Sequence, residues 1–573
     1  MRHLNNFVIF FLVAISNSSY AVPESGKKIM ISARSPYAIA AGKEIYSKGG
    51  NIADVAVAVG LTLAVTSPGV AALGGGGLAL IKFGPNVEAL DFREVAPGAT
   101  SPTYYKNLSK NASTVGGTAV GVPGMLKGYW EIHKKYGKLK WKEILKTPIY
   151  LARHGFQVSG SLSKTLEVKK EIFNNHAFRY FFKPKKRRSK LSRFFKGKKV
   201  FANNDIFYQP GDTLKQPQLA LALDIISNHG EAAFYNGEIS KDVVTTVRKS
   251  KGVMTLNDLK NYKVRWLKPH ETSYYGHKIY MMPPPSSGGL VIEGAFKLIE
   301  AINLEKEKPQ SVMELHLLSE IMNRSFRKRS LLGDPDFTNN PTSFFKTPAA
   351  VKSALETIKR DKHTELDPLG FDPQEKEGTQ TTHFSIMDHQ GRAISATITL
   401  NTEFGSGVVT PRFGIALNNE MDDFTTHPGE PNTFGLVQGK ANVVEPGKRP
   451  LSSMSPTLVE KDKKIIMAIG AEGGPRIISA VLQIIYRVIV SNFDIEHAIH
   501  SPKVHAQFLP RTLFVDGMRW PPETLDGLKT LGHEINETDE LHPLGRSYGV
   551  HRNPDGILEG AYDWRHPGAA GGF

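Results

Sequence analysis

The chain has 573 residues, with 72 Lys and Arg against 55 Asp and Glu, a formal charge of +17, and no cysteine. At 40% apolar residues, with 53 Gly and 35 Pro, it reads as a loop-rich globular chain with a large core, which excludes a disordered or fibrous protein. Without cysteine there is no disulfide framework, thiolate metal site or sulfur nucleophile, so an enzyme of this composition attacks with oxygen, nitrogen or metal-bound water.

Arg2 and His3, the apolar run from Phe7 to Ile15 and the small residues Ser19 and Ala21 have the layout of a secretory signal over residues 1–21. The reading is of an exported protein, periplasmic or secreted. The next segments read as helices punctuated by glycine: Ala38 to Ser47, a helix capped by Asn51 and running to Thr66, and an amphipathic helix from Trp141 to His154. Gly74 to Gly77 has neither a phosphate-loop nor a dinucleotide spacing and reads as close backbone approach in a core turn. Residues 179–199 hold eleven Lys and Arg and no acid. After Gly252 the pattern is mixed, with a helix from Leu256 to Tyr262, a strand from Lys278 to Met282, a proline-serine-glycine loop and a helix from Leu290 to Ala301.

Residues 361–380 lack apolar periodicity and read as an exposed, mobile connection. Beyond them Thr381 to Asp388 and Arg392 to Asn401 alternate strictly, forming a hairpin with one apolar face and one face of Thr381, His383, Ser385, Ser395, Thr397, Thr399 and Asn401. A second strand pair leads into Gly473-Gly474 and a helix from Ile477 to Val490. Strands interleaved with helices along the chain predict a mixed α/β sandwich. Gly545-Arg546-Ser547-Tyr548-Gly549 matches a nucleophile elbow, but the turn at Asn553 to Gly556 follows where that motif needs a helix. No His-Glu-x-x-His string occurs, and neither a metal nor a cofactor is expected.

Thr381 therefore draws attention. A threonine at a newly made chain terminus has its own α-amine, pKa about 8, within reach of its hydroxyl to act as base. Cutting Gln380-Thr381 would create that terminus. The strings QTTHFSIMD, TLNTEFGSG, LNNEMDDF, KRPLSSMSPT and the glycine pair before PRIISAVLQ, with DFREVAPGAT, LGGGGLALI, PPPSSGGL and LGDPDF upstream, resemble the γ-glutamyltranspeptidase family in order and over essentially the whole chain.

That resemblance implies an N-terminal-nucleophile hydrolase, a four-layer αββα sandwich built from two autoproteolytic fragments, 22–380 and 381–573, that stay together as a heterodimer. It implies Thr381 as nucleophile, Thr399 as the residue orienting it, and Gly473 and Gly474 as oxyanion donors. Arg93 with Ser452 and Ser453 would hold the substrate α-carboxylate, and Asn401, Glu420 and Asp423 its α-ammonium. The implied donors are glutathione and other γ-glutamyl compounds, and the acceptors water, amino acids or dipeptides. Two departures stand out: Glu472 where many members carry proline, and Phe434 in the lid-like stretch where some bacterial members carry tyrosine.

A glutaryl-type β-lactam acylase of the same superfamily and a non-catalytic, exported basic binding protein are the alternative readings. The basic stretch falls where most relatives are shorter, and reads either as a solvated loop or as a contact for an anionic surface, with no nucleic acid expected. Without its eleven charges and Arg2, the +17 falls to +5, so the excess is local.

Overall fold

The computed structural model describes residues 23–173, 180–181, 207–369, 381–539, 543–565 and 567–573. The signal-like segment, most of the basic stretch 179–199 and Gln380 lie outside the described residues.

Two seven-stranded antiparallel sheets face each other. The first runs Ala569–Gly572, Ile29–Ala33, Thr382–Asp388, Ala393–Thr399, Gly76–Lys82, Val87–Asp91 and Arg265–Leu267. The second runs Glu24–Gly26, Leu558–Tyr562, Arg546–Arg552, Lys464–Glu472, Thr457–Lys461, His277–Met281 and His270–Tyr274. Helices Pro36–Ser47, Ile52–Thr66 and Met125–Tyr136 cover the first sheet; Gly288–Ile302, Val312–Arg327 and Arg476–Ile489 lie on the side of the second. The order helix, sheet, sheet, helix is the four-layer αββα sandwich that the family resemblance implies, and fits the mixed α/β sandwich read from the pattern of strands and helices.

Local sequence explains the elements. Asn51 accepts from the backbone N–H of Ala53 at 2.8 Å, and Asp54 accepts from that of Asn51 at 2.9 Å, closing a capping box. Every residue from Ile52 to Thr66 is buried, which its Ala- and Val-rich composition permits. The expected helix from Trp141 to His154 is instead two helices, Trp141–Ile144 and Lys146–His154. Pro148 is tolerated in the first turn of the second but in a continuous helix would clash with the carbonyl of Ile144.

The hairpin Thr382–Asp388 and Ala393–Thr399 is buried on both faces. Phe384, Ile386, Ile394 and Ile398 pack toward the helices, and the hydroxyl-rich face meets the second sheet. There Ser385 Oγ donates to the carbonyl of Tyr548 and Ser395 Oγ to that of Ile469, both at 3.0 Å, satisfying groups that would otherwise cost several kcal/mol to bury. Ser547 lies inside a central strand with its hydroxyl bonded to the Gly545 carbonyl, which removes any elbow geometry.

Candidate active site

Thr382 pairs with Ile398, and one further step of that antiparallel register brings Thr381 level with Thr399 at the end of the neighbouring strand. Thr399 is held from behind by the glycine run: a Cβ on Gly75 would lie 2.1 Å from the Thr399 carbonyl, so only glycine lets the backbones approach. Thr399 Oγ1 accepts the N–H of Asn401 at 2.8 Å, and Asn401, in a left-handed turn with φ 76°, donates from its amide to the Asn419 carbonyl.

Thr381, Thr399, Asn401, Arg93, Glu420, Asp423, Ser452, Ser453, Gly474 and Phe434 line one cavity, with Leu436, Met454 and Ile477 completing its wall. Its volume is only about 20 Å³. Larger cavities lie elsewhere, but this is the one that gathers the candidate residues around Thr381.

The strand Lys464–Glu472 ends at Gly473 and Gly474, with φ 124° and 57°, a left-handed pair that only glycine adopts without strain. A Cβ on Gly474 would strike the Phe434 ring at 2.6 Å, so Phe434 lies directly over this turn. Phe434 is positioned by Asn432 Oδ1, which accepts its N–H at 3.0 Å, and by Gln507 Nε2, which donates to its carbonyl at 3.3 Å.

Arg93 and the acids, which the resemblance assigns to opposite ends of a substrate, are bound to each other. Arg93 Nη1 donates to Glu420 Oε1 and Nη2 to Asp423 Oδ2, each at 2.5 Å, while Nε reaches the Pro450 carbonyl at 2.7 Å. Burial works against the Arg93 charge, but Glu420 and Asp423 outweigh it and raise its pKa. Burial pushes Glu420 up to about 7 against the pull of Arg93, and raises Asp423 as well.

Several groups here escaped the sequence reading. Arg329 donates to Ser287 Oγ at 3.0 Å and to Gln438 Oε1 and Ser453 Oγ at 3.3 Å, a second guanidinium behind the serine pair. Burial pushes its pKa down to about 10. Glu94 is fully buried, neither carboxylate oxygen has a hydrogen-bond partner, and burial with repulsion from Glu420 raises its pKa well above the usual range. Glu472 is clamped between Arg34, at 2.5 Å, and Arg546, at 3.0 Å. In the linear chain only the adjacency of Glu94 to Arg93 and the departure at Glu472 were visible, not their partners.

A threonine at a strand end, a glycine turn beside it and a cleft of paired charges are the parts that acyl transfer through a hydroxyl would use. The family model described as gamma-glutamyltranspeptidase matches residues 38–573. The chain belongs to that family. Among its relatives, the glutathione hydrolase proenzyme of Pseudomonas aeruginosa is 36% identical over 542 residues, covering 92% of this chain and 91% of that protein. The glutathione hydrolase proenzyme of Escherichia coli is 36% identical over 553 residues, covering 95% and 91%. The crystal structure of a cephalosporin acylase from Bacillus halodurans superposes with a TM-score of 0.82 over 99% of both chains at 22% identity, which establishes the shared fold.

Proposed function

We propose that this chain is a self-processing γ-glutamyl transferase and glutathione hydrolase with Thr381 as its nucleophile. The observation that carries the reading is the convergence, in a member of this family, of Thr381, Thr399 and the glycine turn with Arg93, Glu420, Asp423, Ser452 and Ser453 around one cavity. In maturation Thr381 Oγ attacks the Gln380 carbonyl, the peptide nitrogen leaves as the new α-amine, and water hydrolyses the ester. Fragments 22–380 and 381–573 then remain associated.

In turnover the freed amine takes the Thr381 hydroxyl proton as Oγ adds to the γ-carbonyl. Backbone N–H groups at Gly473 and Gly474 face the developing oxyanion, and one such donor is worth about 2.7 to 4 kcal/mol in a comparable site. The amine product departs with the proton, and water or an amino acid or dipeptide takes the acyl group from the Thr381 ester. On substrate entry the Arg93 pairing with Glu420 and Asp423 at the cleft is exchanged for contacts to the two ends of the amino-acid group. The acids then receive the α-ammonium, while Arg93, Ser452 and Ser453 receive the α-carboxylate. Two buried carboxylates favour this substrate over a glutaryl side chain, which has no ammonium.

The test is to express the protein, resolve it on a denaturing gel and sequence the smaller band from its N-terminus. Two bands with the smaller beginning at Thr381 are expected, and Thr381→Ala should stay a single chain without γ-glutamyl p-nitroanilide turnover. A different terminus would sink the mechanism, and an uncut, inactive wild type would support the non-catalytic alternative.

We also propose that the protein acts outside the cytoplasm, on the strength of the signal-like residues 1–21. There the basic stretch 179–199 meets anionic headgroups or polyanions; Phe181 is buried in the core against Phe404, which leaves Phe182, Phe194 and Phe195 as the apolar contacts. Deleting residues 183–199, which spares the buried Phe181, should leave turnover intact and abolish salt-sensitive sedimentation with anionic vesicles; unchanged sedimentation would refute the contact.

A further inference from the structure

Away from the cavity, three segments converge on a buried cluster of imidazoles around one carboxylate. His316 and Glu320 are one turn apart on the helix Val312–Arg327, His533 follows the helix Pro522–Thr530, and His363 lies in the stretch that the sequence reads as a mobile connection. His316 and Glu320 are fully buried and His533 is 6% exposed. One donor atom from each lies within 4.8 Å of the other two.

From this donor geometry we infer a binding site for one divalent first-row transition metal ion, of the zinc or cobalt type, with His316, Glu320 and His533 as ligands. Two imidazoles and a carboxylate suit these borderline ions, which take nitrogen and oxygen donors at about 2.0 to 2.2 Å and a water at the fourth position.

The protonation pattern supports the assignment. His316 Nε2 donates to the Lys359 carbonyl at 2.7 Å, leaving Nδ1 as a lone-pair donor aimed at His533 Nε2, 2.8 Å away. A backbone carbonyl holding the far nitrogen of an imidazole is the usual outer support of a metal-bound histidine. His363 Nδ1 donates to Glu320 Oε1 at 2.6 Å, and Arg324 Nη1 holds Oε2 at 2.8 Å. Both fix the carboxylate, and Arg324 limits affinity by its charge. To bind, His533 moves its proton from Nε2 to Nδ1, and the ion replaces the hydrogen bond between the two rings. The His363 side chain, 13% exposed, is the route from solvent. His316 and Glu320 precede Gln380-Thr381 and His533 follows it, so the ion would tie the two fragments, but binding itself requires no cleavage.

The test is a Co²⁺ titration of the chelator-treated full-length protein, followed by visible d–d absorption and thermal melting. One saturating equivalent with a rise in Tm is expected. Glu320→Gln and His533→Gln should each abolish the saturable band; the latter keeps an amide N–H to satisfy His316 Nδ1 and so spares the fold. His363→Ala should weaken binding about 10- to 100-fold. A wild type with no saturable band, or a band that survives in both Gln variants, overturns the site.

Discussion

Glu472 stands directly before the glycine turn, and its carboxylate is shared by Arg34 and Arg546, two guanidiniums brought from opposite ends of the chain. All three side chains are almost fully buried. An ion triad thus anchors the residue before the glycine turn. Removing a partner from a buried charge cluster costs about 3–5 kcal/mol, because the remaining charges have no water to replace it. Glu472→Gln should therefore lower stability by that order, measured by urea denaturation, and lower kcat with little change in KM because the oxyanion turn loses its anchor. An unchanged kcat would reduce the triad to a stability device. That Thr381, Gly474, Ser452, Ser453, Glu420 and Asp423 would share one cavity was legible because each lies in a short contiguous string with a distinctive order. Arg329 was not: nothing in RKRSLLGD distinguishes the guanidinium that reaches Ser453 from its neighbours.

At the scale of elements, the hairpin that begins beside Thr381 was readable from its strict alternation, including which residues share a face. What alternation does not tell is what the polar face meets. His383 is sealed between the sheets, bonded to Thr397 Oγ1 at 2.8 Å and Ser385 Oγ at 3.0 Å, and its ring lies against Gly470 of the facing sheet. A Cβ on Gly470 would come within 2.3 Å of that ring. Gly470→Ala should therefore force the sheets apart next to the nucleophile. The expected cost is about 1–3 kcal/mol, as for other overpacked cores, with a loss of turnover, read by chemical denaturation and initial rates. Wild-type stability in this variant would show that His383 can retreat. The turn after Asp388 and the cap at Asn51 were equally legible, since both depend on neighbours within four residues. The break at Leu145 was less so, because the apolar period continues through it.

For the whole molecule, burial of neutral histidines shapes the response to acid. Burial holds His383 and His505 down to about 3 from an ordinary 6.5. Between those values the unfolded chain binds their protons and the folded chain does not. This contribution is fully present above about 6.5 and is lost as pH falls toward 3, at up to about 1.4 kcal/mol per pH unit for each histidine. Glu420, raised from 4.5 to about 7, runs the other way: its contribution is present below 4.5 and is lost as pH rises toward 7. Urea denaturation across about pH 4 to 7 should show stability falling on the acid side, with a shallower fall in His383→Gln; an identical slope in that variant would remove His383 from the account.

The sequence by itself determined the layered α/β class, the family and most of the residues that line the cavity around Thr381, because these rest on periodicity and on motifs read within a few residues. Only the tertiary structure decided that Arg93 rests on Glu420 and Asp423, that Glu472 is held by Arg34 and Arg546, and that His533 meets His316 and Glu320. Each of these is a pairing of buried charges or donors far apart in the chain. Its partners are chosen by where two sheets and their helices happen to exclude water, and no local pattern of residues encodes that.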